Sequence, residues 1–279
     1  MIIIAESGAT KTAWKSIDDM GHVRSVKTGG MSPTCLDHDH IQSLIREAIP
    51  LLNPLGTRVD TVHFYGAGLV SDEVAAPIRA ALDMWCPFAE MYFHSDLMAA
   101  ARALFGDGCG IVAIMGTGSN SCLYSNGVLD NRFYSGGYII GDEGSGSALG
   151  KALISDYIKG LLPQAVAMSF NEKYGLDYQH IVRKVYKEPG TAAFLASFAP
   201  FVFDHLDDPY MSAMLDECLE SFVKRALSRY PEGGGKVGVV GSFGCACQDR
   251  LRAIGARYGL EFVKFVKSPI EELVRYHGI

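Results

Sequence analysis

The sequence predicts an α/β protein built from two related halves, and three observations predict it. A short apolar strand, Ile2-Ile3-Ile4-Ala5, breaks into Glu6-Ser7-Gly8-Ala9-Thr10-Lys11-Thr12. The same design returns in mid-chain, where Ile111-Val112-Ala113-Ile114-Met115 breaks into Gly116-Thr117-Gly118-Ser119-Asn120-Ser121. After each copy, apolar strands alternate with helical stripes, the pattern of a mixed sheet with covered faces. Each turn bares successive backbone N–H groups and Ser/Thr hydroxyls, a concave donor set suited to phosphate oxygens. Two copies imply that each half holds part of a polyphosphate, as phosphoryl transfer requires.

In the first half, Ile2–Ala5, Ala13–Ile17 and Val23–Lys27 read as strands, with Gly21 in a hairpin turn. Ile41, Leu44, Ile45, Ala48, Ile49 and Leu52 form a helical stripe that opens after Asp37 or Asp39 and ends near Pro54 and Gly56. A strand at Val62–Tyr65, a helix over Ser71–Trp85, a strand at Met91–His94 and a helix over Leu97–Phe105 follow. The second half has strands at Ile111–Met115, Ser121–Ser125 and Val128–Tyr134, the last two joined by an Asn126-Gly127 turn. A long helical insertion over 151–230 includes Lys151–Lys159, Phe194–Phe203 and Met211–Tyr230. The chain closes with a strand (Val237–Val240), a helix (Arg250–Tyr258), a strand (Phe262–Val266) and a helix after Pro269. Gly106-Asp107-Gly108 is the expected hinge, because glycine absorbs backbone rotation. The domains are expected at 1–106, joined by the final helix 268–279, and at 107–267.

Composition narrows the classes. A formal net charge of −6 without a long run of like charges gives no nucleic-acid footprint. No apolar stretch approaches the roughly 18 residues of a membrane span, and the opening apolar run reads as a core strand rather than a leader. Seven scattered cysteines suit reduced thiols, so a cytoplasmic setting is expected, and Cys245-Ala-Cys247 lacks the second pair of a metal site.

Familiar nucleotide motifs are absent. Gly146-Ser147-Ala148-Leu149-Gly150-Lys151-Ala152 has one residue too few for a P-loop, and Ala152 cannot supply the magnesium-binding hydroxyl. The dinucleotide fingerprint is missing too. The paired strand–turn–strand pattern remains, joined by Val239-Val240-Gly241-Ser242 after a third strand. Asp96, just past an apolar strand, reads either as a helix N-cap or as a base at the carboxyl end of a sheet. Asp142-Glu143 among many glycines reads as a site rather than a solvated turn. His38-Asp39-His40 reads as surface, Trp14 and Trp85 as core, and His94 as a buried, hydrogen-bonded residue.

E-S-G-A-T-K-T at 6–12, H-S-D-L-M-A-A-A-R-A at 94–103, G-T-G-S-N at 116–120, G-D-E-G-S at 141–145 and V-V-G-S at 239–242 occur in order. Together they resemble the BadF/BcrA-type ATPase family and, within it, the N-acetylglucosamine kinases; hexokinase, the heat-shock chaperone ATPases and actin belong to the wider superfamily. The resemblance implies two ribonuclease-H-like domains around an interdomain cleft that takes ATP, Mg²⁺ and a sugar. It implies that Gly8, Thr10, Lys11 and Thr12 hold the β- and γ-phosphates. Gly116, Thr117 and Gly118 would form the second phosphate turn, with Gly241 and Ser242 against the adenosine. Ser119, Asn120, Gly136, Gly137 and Asp142 match sugar-hydroxyl positions, and Asp96 matches the catalytic base. A base there has physical sense, since a sugar hydroxyl needs a carboxylate within hydrogen-bond reach to orient it and accept its proton.

Three positions depart from the family. Glu6 stands where Asp usually holds a magnesium-bound water, and Glu143 is a second candidate metal ligand. Gly30-Met31-Ser32-Pro33-Thr34 offers Ser32 and Thr34 where the kinases have Asn. Phe243-Gly244-Cys245 replaces bulkier residues beside the adenine. The function expected is ATP-dependent phosphorylation of an amino sugar, N-acetylglucosamine foremost, with no nucleic-acid or membrane partner and a homodimer left open. The alternatives are an ATPase of the dehydratase-activator type, which carries an interfacial iron–sulfur cluster, and a non-catalytic sugar sensor.

Overall fold

The computed structural model describes residues 1–8, 11–31 and 37–278. The chain divides into two compact units, Met1–Asp107 with Ser268–Ile279, and Gly108–Lys267. In unit 1, strands β1 (Ile2–Ser7), β2 (Lys11–Ile17) and β3 (Val23–Gly29) form an antiparallel meander. Strands β4 (Thr61–Gly66) and β5 (Glu90–Ser95) add in parallel, giving the order β3-β2-β1-β4-β5.

Side-chain alternation along β1 sends Ile3 and Ala5 to one face of this sheet and Ile4 to the other. Ile3 and Ala5 pack with Trp14, Phe64 and the buried stripes of α1 (His38–Leu52) and α2 (Asp72–Asp83). Ile4 packs with Tyr65, Ala99 of α3 (Asp96–Phe105), and Ile270 and Leu273 of α13 (Ile270–Tyr276). Helix starts follow local chemistry: Asp37 caps α1 by accepting from the His40 N–H, and Ser71 caps α2 by accepting from Val74.

Unit 2 repeats the plan. Strands β6 (Cys109–Met115), β7 (Ser119–Ser125) and β8 (Val128–Asp130) form the meander, and β9 (Lys236–Val240) and β10 (Glu261–Val266) complete the order β10-β9-β6-β7-β8. Asn126 (φ 50°) and Gly127 (φ 85°) supply the paired left-handed residues of a two-residue hairpin turn. Between β8 and β9 lie α4 (Gly137–Ile140), α5 (Gly146–Ile158), α6 (Gln164–Tyr174), α7 (Tyr178–Tyr186), α8 (Thr191–Ala196), α9 (Ala199–Asp204) and α10 (Pro209–Arg225). Helices α11 (Ser242–Ala246) and α12 (Gln248–Ala256) connect β9 to β10.

Several expected boundaries move. β8 stops at Asp130 rather than Tyr134, because the chain leaves the sheet edge to set Phe133 against Tyr230, with ring centroids 4.9 Å apart. The helix expected at 194–203 is two helices; Pro200 has no N–H for a continuous ladder, and the chain restarts at Ala199. α10 ends at Arg225, and Tyr230 turns inward so that its hydroxyl donates to the Ser121 carbonyl at 3.3 Å. α5 begins at Gly146, ahead of Lys151. Trp14 is core, at 1% exposure, but Trp85 lies past the last buried turn of α2 and is 40% exposed. His38, Asp39 and His40 are all exposed.

Candidate functional site

In unit 1 the first turn joins β1 to β2. Register places Glu6 opposite Ala13 on one side and Tyr65 of β4 on the other, with His94 of β5 next beyond Tyr65. Thr10 and Ser32 lie outside the described residues, as does Thr34. The Gly8 N–H closes the turn on the Lys11 carbonyl at 2.9 Å, so it is taken up inside the hairpin, while the Lys11 side chain is exposed.

Thr12 turns its hydroxyl inward. It points into the core at 0% exposure, where its hydroxyl meets Ser7 Oγ at 2.8 Å and donates to the Gly29 carbonyl at 2.8 Å. Ser7 Oγ also accepts from the Met31 N–H at 2.8 Å. The Thr12 hydroxyl therefore fastens the first turn to the end of β3, and the side-chain donors expected in this turn are Thr10 and Lys11.

Asp96 is the first residue of α3, and Ser95 is the cap, accepting from the Met98 N–H at 3.3 Å. The N-cap reading of Asp96 is thus corrected by one residue. Its Oδ1 accepts from the Leu97 N–H at 2.9 Å. Burial holds the Asp96 carboxyl above its ordinary range, partly offset by backbone N–H bonds. Burial likewise raises Glu6; Lys11 opposes this, the Asp96 charge adds to it, and a hydrogen bond from Ser268 opposes it. The Asp96 charge thus disfavours ionisation of Glu6, a repulsion that a nearby divalent cation would relieve. His94 is half-buried, lies 5.3 Å from the Tyr65 ring and is held near pKa 4 by burial and by Arg102.

In unit 2 the second turn is organised by its neighbours. The Gly116 N–H bonds to the Gly118 carbonyl at 2.9 Å, so like Gly8 it is taken up internally. The Gly116 and Thr117 carbonyls accept from Gly146 and Ser147 at 2.9 Å each, docking the start of α5 on the turn. Thr117 is exposed. A Cβ on Gly118 would lie 2.7 Å from Asp142 Oδ2, which is why glycine stands there.

Asp142 adopts φ 56°, a left-handed conformation uncommon for a residue other than glycine, and is 8% exposed. Its N–H donates to the Ser135 carbonyl at 3.0 Å and its Oδ1 accepts from the Ser119 N–H at 3.3 Å. Burial raises its pKa, against the Ser119 N–H and Lys151. The loop before it closes so tightly that a Cβ on Gly141 would fall 1.6 Å from the Ser135 carbonyl oxygen. Gly136 and Gly137 lie in that loop with φ 76° and 69°.

Ser119 Oγ donates to the Glu143 carbonyl at 2.7 Å, so this hydroxyl braces the loop. Ser119, Asn120, Gly136 and Glu143 border a cavity of about 630 Å³, to which Arg132 and Arg225 also contribute. Glu143 Oε1 pairs with Arg225 at 2.8 Å, which occupies the carboxylate that sequence offered to a metal. Among the described residues no group of three or more His, Cys, Asp or Glu is arranged to hold a metal.

Gly241 follows β9 at φ 127°, and a Cβ there would lie 2.1 Å from the Met115 carbonyl oxygen. The second turn and the Gly241-Ser242 corner are therefore in backbone contact, and Ser242 is exposed at the start of α11. Gly241→Ala is expected to destabilise the protein by more than about 2 kcal/mol, read as a lower midpoint in thermal or urea unfolding. An unchanged midpoint would refute this contact.

Sequence reasoning missed Ser268, which bonds Glu6, Tyr65, the register neighbour of Glu6, and Arg102, which bonds the Tyr65 hydroxyl. The charge of Arg102 inside the Ala99–Ala103 run is the signal that sequence offered for that residue.

No family model matches the chain, and no curated protein matches it. Solved structures do. A "putative N-acetylglucosamine kinase" from Porphyromonas gingivalis is 34% identical, with 99% of this chain and 98% of that one covered and a TM-score of 0.93. A "putative N-acetylglucosamine kinase" from Chromobacterium violaceum is 19% identical over 99% and 98% of the chains, TM-score 0.78, and shares the fold. So does a ROK family glucokinase from Streptomyces griseus, solved with glucose and AMPPNP, at 15% identity over 99% and 97% of the chains, TM-score 0.60. With duplicated five-stranded sheets and a relative at this identity over nearly its whole length, the chain belongs to the N-acetylglucosamine-kinase-like family of sugar kinases in the actin-like ATPase superfamily.

Proposed function

We propose that the protein is an ATP-dependent kinase that phosphorylates a hydroxyl of an amino sugar, N-acetylglucosamine foremost, with Asp96 as general base. The observation that carries the reading is the position of Asp96: first residue of α3, at the carboxyl end of β5, close enough to Glu6 for their charges to interact. Ligand crevices of open α/β sheets lie at the carboxyl ends of strands. Burial makes this carboxylate a better proton acceptor than a solvated one.

In the proposed reaction Asp96 orients the acceptor hydroxyl and takes its proton as the oxygen bonds to the γ-phosphorus. The bond from that phosphorus to the bridging oxygen breaks, and ADP leaves. Gly8 and Gly116 to Gly118 allow close backbone approach of phosphates, Lys11 and Thr117 are the exposed side-chain donors, and Gly241 and Ser242 border the nucleoside. Asn120, Gly136, Gly137 and Asp142 shape the sugar side in unit 2. A Mg²⁺ ion, with Glu6 reached through water, would neutralise charge on the β- and γ-phosphates.

A coupled ADP-release assay over glucose, N-acetylglucosamine, N-acetylmannosamine and glucosamine tests the reading. Sugar-dependent ADP release, greatest with N-acetylglucosamine, is expected. Calorimetric sugar binding with no ADP release in Mg-ATP would instead establish a sensor. Against the dehydratase-activator alternative, Cys122 is 0% exposed on β7, poorly suited to share a cluster at a subunit surface with exposed Cys109.

A further inference from the structure

Helix α3 carries Asp96, and its buried positions include Ala99, Ala100, Ala101 and Ala103. Leu97 and Leu104 are its only large buried side chains, one near each end, and the alanines between them offer few interlocking knobs against sliding. A directional contact can set its register. Arg102, on the same helix, makes one: its Nη1 donates to the Tyr65 hydroxyl at 2.6 Å.

Tyr65 is a rigid reference point. It is 0% exposed in β4, and its register neighbours are Glu6 on β1 and His94 on β5, two residues before Asp96. Its hydroxyl also lies 2.8 Å from His277 Nε2, at the end of α13. His63 stacks on His277 with ring centroids 3.6 Å apart. The Arg102 guanidinium lies 5.6 Å from the Tyr65 ring centre and 5.2 Å from that of Tyr276. Tyr276 in turn donates to Asp107 Oδ1 at 3.2 Å. One phenol therefore ties β4, α3 and α13 together.

Arg102 is a costly way to fill this space. Its Nε is buried with no hydrogen-bond partner, a cost that an apolar side chain of similar length would avoid. Packing does not account for a guanidinium here; the bond to Tyr65 does.

We propose that Tyr65 and Arg102 are positioning residues for the phosphoryl transfer: through their hydrogen bond they fix α3 against the sheet and so hold Asp96 at the distance proton transfer needs. The proposal rests on Asp96 being the base. Neither residue acts on the reacting atoms. A misplacement of about 1 Å at a reacting group is enough to cost about 10²-fold in rate.

The test compares steady-state kinetics of Tyr65→Phe, Arg102→Met and Arg102→Lys with the parent, together with Asp96→Asn and the Tyr65→Phe/Asp96→Asn double variant. Tyr65→Phe keeps the buried ring and deletes the hydroxyl. Its kcat is expected to fall about 10- to 10²-fold with KM for Mg-ATP within about twofold. Arg102→Met should match it, and Arg102→Lys, which can still donate to the phenol, should recover part of the loss. In the Asp96→Asn background Tyr65→Phe should cost nothing further, because misplacing an absent base has no effect. If Asp96→Asn itself keeps the parental kcat, the base assignment fails and the proposal with it. If Asp96→Asn is impaired but Tyr65→Phe keeps the parental kcat, or multiplies the loss in the double variant, the positioning role is overturned. Should Tyr65→Phe not fold, Arg102→Met and its double with Asp96→Asn decide by the same criteria.

Discussion

Asp96→Asn is expected to lower kcat for sugar phosphorylation by about 10²-fold or more while leaving ATP affinity nearly unchanged. The substitution is close to isosteric, and its structural consequences are small for identifiable reasons. Helix α3 is capped by Ser95, not by Asp96, so the cap survives. The Leu97 N–H that Asp96 Oδ1 accepts at 2.9 Å can bond equally to an amide oxygen. Losing a negative charge in the first turn forfeits about 0.3–1 kcal/mol of helix-dipole interaction, and relief of the burial that raises this carboxyl acts in the opposite direction. What disappears is the capacity to take a proton, and about 2.7 kcal/mol of barrier corresponds to a hundredfold in rate. The Glu6 carboxyl should also drop toward its ordinary range, since the Asp96 charge is one of the influences raising it. Single-turnover rates with saturating Mg-ATP and nucleotide titrations separate the two effects. A variant that phosphorylates sugar at the parental rate would remove Asp96 from the mechanism.

The second large effect is acid destabilisation arising in unit 1. His63 and His94 are held near pKa 4 and His277 near 3, each chiefly by burial and further by the Arg102 charge. His94 also lowers His63, and both lower His277. Arg102, Tyr65, Tyr92 and Tyr276 face this cluster, and none of these four is a carboxylate. In the unfolded chain each imidazole takes up a proton near pH 6.5, whereas in the folded protein it stays neutral until about pH 4 or below. The unfolded state therefore binds more protons across that window. The stabilisation from neutral imidazoles is complete above pH 6.5 and is lost progressively as pH falls toward 4.

A shift from 6.5 to about 4 corresponds to at most roughly 3 kcal/mol for one imidazole, less for these half-buried rings that solvent partly screens, and the three overlap because they act on one another. Glu6 and Asp96, raised by burial, work the other way, so the raw slope mixes both signs. His63→Phe isolates the imidazole part. It keeps a ring against Tyr92 and His277, and it removes a buried Nδ1 that has no partner. Urea unfolding between pH 7 and pH 4.5 should show the parent losing more stability than the variant, by about 2 kcal/mol or more. Equal losses would show that these imidazoles do not titrate as buried groups.

Much of the architecture was legible before any coordinates. Short apolar runs, the Asn126-Gly127 turn and the cap at Asp37 are local signals, and the elements form where they indicate. The repeated strand–turn–strand motif correctly implied a repeated sheet order. The errors share a cause. Trp85 is apolar by residue type but lies past the buried face of its helix, and β8 stops at Asp130 because Phe133 leaves the sheet edge to meet Tyr230. Thr12 and Ser119 carry hydroxyls that the Gly29 and Glu143 carbonyls engage, partnerships that no local pattern announces. Residue type and spacing do not reveal which neighbour will satisfy a polar group.

The sequence by itself determined the two halves, their elements and the family motifs, because turn conformation and side-chain periodicity are written within a few consecutive residues. Only the tertiary structure decided which hydroxyls and carboxylates remain available at the site, and which residues brace the Asp96 helix. Tyr65 and His277 meet across 212 residues of chain. No local pattern encodes that distance; it is set when packed helices and a sheet bring three separate elements to one buried phenol.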